Sequence, residues 1–494
     1  MLDKCFSQNS IDIFFYCFIP TMGIPSYFSY IIKNHMQILT KLTLCKQSFH
    51  NLYLDCNSII YDSIRELQKS GSLKPVVADN YEPISALLCE KIQQYIDDIR
   101  PSNFVYIAFD GVAPFAKMNQ QKSRRYRSAF LEHHNVIPKS TFNSALITPG
   151  TDFMNYLSKY VTARFSPKFI VSASDVPGEG EHKLFQHIRD NHLSDQNTVI
   201  YGLDADLLML SIFHSYKTKL FVYREAPEFA KSLNADLENG EAYVLDIARL
   251  CTSISTEMKG DSRRVFDYAF LCFMLGNDFL PHFPALNIRT TGMHSLLYAY
   301  SETLGKDPSA LIIQNSDINW VNFKKVLICL AKHEEPWIQT EYTKRANIRV
   351  NMSDPDKEMV FNNTPLIYRA TEHYIKPTEH KWQSRYYKTL FIHTPGSIKD
   401  ICTNYFEGLE WVFRYYTNQC FDWRWRYNYH YPPLLADLAA HTIAPQYFAK
   451  PVFNPFTHTA QLDYVIPPAD CSFSDIKFEW AFCRYFWEGH LVET

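Results

Sequence analysis

Zinc-type cysteine spacing is missing from this chain: its 12 cysteines are scattered, with no CxxC pair among them. That argues against a zinc ribbon and reads as free thiols in a reducing compartment, mostly filling core space. No apolar run is long enough to span a bilayer. The nearest candidate, IDIFFYCFI at 11–19, is short and interrupted by Asp12. A basic n-region and a small-residue cleavage site are also missing, so neither a membrane association nor a signal peptide is expected. Strong charge of either sign is absent, and the formal net charge of −3 would not by itself select a nucleic-acid binder. Internal repeats and long low-complexity tracts are absent too, which argues against a solenoid.

What is present is length and aromatic content. At 494 residues the chain exceeds one typical core, so two or more domains are expected. Its 32 Tyr, 36 Phe and 8 Trp read first as large cores, with some rings available as stacking platforms for bases. From about Gly23 to Tyr300 strand and helix patterns alternate. NLYLD, FVYIAFD, FIVSAS, TVIYGLD and LFVYRE are the strand candidates, and 84–99 and 151–165 are helical stretches between them. That alternation predicts an α/β fold with a parallel sheet flanked by helices. The expected division is an N-terminal extension or misplaced start over 1–21, with MGIPSYF from Met22 the better beginning, then a catalytic domain over 22–320. A linker or insert follows over 321–384, polar and without periodicity over 337–380, and then an aromatic-rich supporting region over 385–494 that packs on the first.

The chemistry lies in seven carboxylates: Asp55, Asp110, Glu179 and Glu181 in PGEGEH, Asp204 and Asp206 in YGLDAD, and Asp278 in LGNDF. Several follow a buried strand pattern, and the carboxyl edge of an open α/β sheet is where ligands bind. The two aspartates of DAD, at i and i+2, share a face if the chain is extended there. The GEGE pair sits at an expected strand-to-helix transition, where a plain helix cap is the rival reading. So many like charges in one pocket need a counter-charge, and a hard divalent cation, Mg²⁺ or Mn²⁺, is the natural one. The chain therefore reads as a metal-dependent enzyme acting on a phosphate.

A second constellation begins at Asp110. If the chain is helical after Pro114, then Lys117, Gln121, Arg124 and Arg125 fall at i, i+4, i+7 and i+8 on one face, a row spanning roughly 12 Å at about 1.5 Å per residue. Such a row suits a terminal phosphate held beside the metals, with a solvated charged face as the alternative. Tyr61 and the Trp-rich FDWRWRYNYHYPP at 421–433 offer rings for stacking on a base, with core packing as the commoner fate of such rings.

These motifs closely resemble the XRN family of 5′→3′ exoribonucleases. MGIPSYF, YLDCNSIIYD, AFDGVAPFAKMNQQKSRRYR, ITPGTDFM, VPGEGEHK, YGLDADLLML and LGNDFLPHFP match its first conserved region in order and spacing. GLEWVFRYYTNQC with DWRWRYNYHYPP, and VFNPFTHTAQLDYVIPP, look like its second. The resemblance covers about 22–494 and implies a PIN/5′-nuclease-like fold: a mixed, largely parallel central sheet with helices, plus an α-helical and irregular second region. It implies that the seven acids hold two Mg²⁺ ions, directly or through water. It also implies that Lys117, Gln121, Arg124 and Arg125 form a 5′-monophosphate pocket and that Trp425 stacks on the leading nucleotides. The chain departs from the family at Tyr61, where His is usual, and in YHYPP for YHYAP. The implied protein is a compact, catalytic-core-only cytoplasmic monomer degrading single-stranded 5′-monophosphate RNA processively in mRNA decay, with nuclear processing open. A flap-type structure-specific nuclease and an inactive RNA-binding protein are the rival classes.

Overall fold

The computed structural model describes residues 24–468 except 25, 72–79, 139–141, 227–236, 239, 350–356, 368, 393 and 449–450. Only the backbone is described at 362, 364 and 365 and in Ile476–Glu479 and His490–Glu493. The extension over 1–21 and the start at Met22 lie outside the described residues.

The centre of the molecule is a 7-stranded sheet in the order β1-β7-β6-β5-β2-β3-β4. Its strands are β1 Leu39–Lys41, β2 Asn51–Asp55, β3 Phe104–Ala108, β4 Ile170–Ser172, β5 Asn197–Tyr201, β6 Lys219–Glu225 and β7 Ala242–Asp246. The five from β4 to β6 run parallel, while β7 is antiparallel to β6 and β1 to β7. Parallel strands need crossover helices, and those helices cover both faces, which is why the central strands read as unbroken apolar runs. Alternation along β2 sorts its side chains between the faces. Leu52 and Leu54 join the core under α2 (Asn57–Lys69), α3 (Glu82–Ile99) and α5 (Asp152–Phe165), and Tyr53 joins the opposite core with α1 (Tyr27–Asn34), α6 (Gly180–Asp190) and α7 (Asp206–His214). α4 (Phe115–His133) follows β3, starting after Pro114 as expected.

The chain lays down β2, β3 and β4 in one direction, then returns to set β5 and β6 on the other side of β2. The reversal makes the β2–β5 boundary a topological switch point, with a crevice outside its carboxyl ends.

The second region shares the larger of the two cores. The Ile398–Thr417 helix buries Tyr405, Phe406, Leu409, Trp411, Val412, Phe413, Tyr415 and Tyr416, and its Phe413 ring lies 5.9 Å from Phe213 of α7. Gly408 permits the close approach: a Cβ there would sit 2.5 Å from Leu280 Cδ2 and 3.0 Å from Trp425 Cη2.

The irregular stretch expected over 337–380 is instead largely helical, with helices Trp320–Asn347, Lys357–Ile367 and Ala370–Ile375. The periodicity was hidden because several inward positions are polar. Glu334, Glu341 and Arg345 continue the buried face begun by Phe323, Leu327 and Leu330, each with its own partners. Among the described residues no helix is long and apolar enough to cross a membrane, and the cysteines are free thiols.

Candidate active site

The acids gather at the switch point. Asp55 is the last residue of β2, Asp110 follows β3, Asp204 follows β5, Asp206 opens α7, and Glu179 and Glu181 flank the start of α6. Carboxylate oxygens of Asp55, Asp110 and Glu181 all lie within 4.8 Å of one another. Gly180 makes this packing possible: a Cβ at that position would stand 2.5 Å from Asp55 Oδ1. Its amide, at the positive end of α6, donates to Asp110 Oδ1 at 2.7 Å.

Two local expectations are revised. DAD is not extended: Asp204 lies in the loop after β5, and Ala205 already has helical angles (φ −67, ψ −24). Asp204 thus sits in the loop between β5 and α7, and Asp206 in the first turn of α7. Glu179 does occupy the N-cap position of α6, yet its side chain caps nothing. It accepts instead from Tyr415 Oη at 2.7 Å and pairs with Lys117 Nζ at 2.6 Å. Each Glu179 oxygen thus already has one partner.

The basic row divides. Lys117 is buried and bridges Glu179 to Asp278, the latter at 2.7 Å. Burial alone would depress its pKa, but Asp278, Glu179 and Glu181 hold it well above the ordinary value. Further along α4, Gln121 accepts from Gln461 at 3.2 Å, and Arg125 donates to the carbonyls of Ser144 and Ile147 at 3.2 and 3.1 Å. Arg124 is exposed. Tyr61 is 37% exposed and lies close enough to Arg125 to interact electrostatically. Trp425 is 7% exposed and stacks on Trp411 with centroids 5.2 Å apart, so it offers little ring surface to a base.

Sequence reasoning missed the residues that hold the acids. Asn57 brackets Asp110: its Nδ2 donates to Asp110 Oδ2, and its Oδ1 accepts from the Asp110 amide at 3.0 Å. Lys183 donates to the carbonyls of Phe109 and Ala173 at 2.8 and 2.9 Å, beside the β3 end, and burial lowers its pKa to about 8. Tyr415 holds Glu179. Asn57 was within reach as the i+2 neighbour of Asp55. Tyr415, more than two hundred residues from Glu179, carried no local signal.

Charge in this pocket is badly out of balance. Burial and mutual repulsion push Asp55, Glu181 and Asp206 well above the carboxylate range, and desolvation lifts Asp204 to about 7 against the pull of Lys117. Asp55 Oδ1 and Asp206 Oδ1 are buried without a hydrogen-bond partner among the described residues. Orphaned carboxylate oxygens in an all-oxygen donor set fit a hard divalent cation.

The molecule is thus an α/β protein with a carboxylate centre, suited to a divalent cation, at the switch point of a mixed sheet. A family model described as the XRN 5′-3′ exonuclease N-terminus matches residues 22–226, and one described as the Xrn1 helical domain matches 259–374 and 368–476. The chain belongs to the XRN family. It is 27% identical to 5′-3′ exoribonuclease 2 of Gallus gallus over 92% of this chain, and 26% identical to 5′-3′ exoribonuclease 1 of Saccharomyces cerevisiae over 90%. It spans 64% and 39% of those two proteins' lengths. A more distant likeness is to the catalytic core of Rad2 in complex with DNA substrate, at TM-score 0.35 and 13% identity over 67% of this chain and 81% of the other.

Proposed function

We propose that the chain is a 5′→3′ exoribonuclease that hydrolyses single-stranded RNA bearing a 5′-monophosphate, one nucleotide at a time, releasing nucleoside 5′-monophosphates. The observation that carries this reading is the trio Asp55, Asp110 and Glu181, with oxygens within 4.8 Å of one another, in a chain of the XRN family. Asp55, Asp110, Glu179 and Glu181 would hold one divalent cation, and Asp204, Asp206 and Asp278 a second, directly or through water. When bound, Mg²⁺ or Mn²⁺ neutralises the scissile phosphate and lowers the pKa of an attacking water. Lys117 keeps a fixed positive charge between Glu179 and Asp278, so an entering phosphate meets less repulsion from the acids.

The 5′-phosphate pocket is Lys117, Gln121, Arg124 and Arg125. A guanidinium fork recognises a terminal phosphate in two-point fashion, and a pocket sized for one phosphate excludes a cap or triphosphate by bulk and like charge. Tyr61, exposed beside Arg125, is the better-supported platform for the first base, and Trp425 keeps little ring surface for one beside Trp411. Turnover of decapped mRNA in the cytoplasm by a monomer is the cellular role this chemistry suits.

The test is degradation of matched RNAs with 5′-monophosphate, 5′-hydroxyl or 5′-triphosphate ends, in Mg²⁺ and in EDTA. Selective Mg²⁺-dependent conversion of the monophosphate RNA to mononucleotides is expected. Equal cleavage of all three, cutting of a circular RNA, or binding without turnover overturns the reading.

A further inference from the structure

We infer that Gln461, on the His458–Val465 helix, is a positioning residue for 5′-phosphate recognition: it fixes the Gln121 amide so that the nitrogen, not the oxygen, is left to meet an anion. Gln461 is fully buried. Its Oε1 accepts from the Ala113 amide at 2.9 Å, and its Nε2 donates to Gln121 Oε1 at 3.2 Å, across 340 residues of chain. A backbone N–H can only donate, so the atom of Gln461 facing Ala113 has to be its oxygen. That leaves its nitrogen facing Gln121, whose oxygen must then accept. The direction of both bonds is set from the backbone outward.

Gln121 Nε2 is the atom left over, and it has no hydrogen-bond partner among the described residues. Gln121 is half-buried and follows Lys117 by one turn of α4. An amide nitrogen donates to phosphate oxygens, whereas an amide oxygen in its place repels them. A glutamine with no fixed neighbour presents either atom, since the two orientations differ by one rotation about its last side-chain bond. Turning the Gln121 amide over here would set its NH2 against the NH2 of Gln461, two donors with no acceptor between them. The helix that imposes this choice is held by other contacts. His458 Nε2 donates to the Ser174 carbonyl at 3.2 Å, and Tyr464 Oη donates to Asn119 Oδ1 and accepts from Arg426, both at 3.1 Å. Val465 is buried with Ala113 and Met118. Methionine would fill the space of Gln461 equally well, but it could direct neither bond.

This inference rests on Gln121 belonging to the phosphate pocket, and the experiment separates the two. The ratio of kcat/KM for 5′-monophosphate over 5′-hydroxyl single-stranded RNA is measured in Mg²⁺ at about pH 8. The proteins are wild type, Q461M, Q461E, Q121M, Q121M/Q461M and Y464F, after melts establish which are folded. General damage to the fold lowers both rates and leaves their ratio alone. Expected is a ratio about fivefold lower in Q461M and about tenfold lower in Q121M, with the double variant within about twofold of Q121M. Q461E keeps an acceptor for Ala113 but puts a second acceptor where the donor was, which turns the Gln121 amide over. Its ratio is expected to fall at least as far as that of Q461M, and it carries the test if Q461M does not fold. Y464F, which loosens the same helix without touching Gln121, is expected to stay within about twofold of wild type. A wild-type ratio in Q461M or Q461E, additive losses in the double variant, or a loss in Y464F equal to that in Q461M overturns the positioning role. A wild-type ratio in Q121M removes Gln121 from the pocket and this inference with it. A wild-type chain with no preference for the monophosphate overturns the pocket itself.

Discussion

Two sets of buried carboxylates in this chain differ in what answers their charge. Away from the sheet edge, Asp267 accepts from Tyr300 Oη at 2.6 Å and from the amides of Ile312 and Ile313 at 2.9 and 2.7 Å. Glu334 accepts from the amides of Leu435 and Ala436 at 2.6 and 2.9 Å, and Glu372 lies between Arg345 and Arg369. At the sheet edge, Asp55 Oδ1 and Asp206 Oδ1 have no donor among the described residues, and Lys117 pairs with Glu179 and Asp278. The first set is buried together with its donors and serves the fold. The second is buried short of them, a costly state that an external cation relieves. An oxygen without a donor among the described residues, not burial, sets Asp55 and Asp206 apart from Asp267 and Glu334.

The strongest way to break that contrast is Asp206→Ala. It is expected to cut Mg²⁺-dependent turnover of 5′-phosphorylated RNA by about 10³-fold or more while the EDTA melting temperature holds. Full activity in that variant would remove the acid centre from the mechanism. The next test is pH. Burial holds Asp204 at about 7 against an ordinary 3.8, and Glu334 at about 7 against 4.5. Both folded pKa values are raised, so between roughly pH 4.5 and 7 the folded chain keeps protons that the unfolded chain has released. In EDTA this contribution favours the fold at the low end of that window and is lost as pH rises through it. Mg²⁺ is expected to replace the protons of the acid centre alone, stabilising by about 2.7 kcal/mol at a hundredfold excess over Kd near pH 7.5 and much less near pH 5. A Mg²⁺ shift of the melting temperature that is equal at both pH values counts against this exchange.

Glu334→Ala probes the other set. Stranding the Leu435 and Ala436 amides is expected to cost about 2 kcal/mol in thermal or urea unfolding, with the Mg²⁺ requirement unchanged. A shifted requirement would join that residue to the centre and blur the distinction. The smallest effect belongs to Arg124→Ala. Its preference for 5′-monophosphate over 5′-hydroxyl RNA is expected to fall about tenfold, worth about 1.4 kcal/mol, and an unchanged ratio refutes the pocket.

Much of the sheet was legible because strands buried on both faces read as apolar runs, and several ended in an acid. β2, β3 and β5 fall where NLYLD, FVYIAFD and TVIYGLD lie, and α4 follows Pro114. The short antiparallel β1 and β7 at one edge escaped: β1 (LTK) has no apolar run, while β7 (AYVLD) has one that was passed over. The Trp320–Asn347 helix escaped because its buried face carries Glu334, Glu341 and Arg345, whose partners come from elsewhere in the chain. The basic row was read as one surface, yet burial turns Lys117 inward to the acids and leaves Arg124 in solvent.

By itself the sequence determined the acids, the strands that carry them and the helix after Asp110, since these follow from local pattern and residue chemistry. Tertiary structure decided which oxygens are left without donors and that Glu179 is bound by Tyr415 and Lys117. Those outcomes depend on contacts between residues far apart in the chain, which the packing of helices on the sheet brings within hydrogen-bond distance and no local pattern encodes.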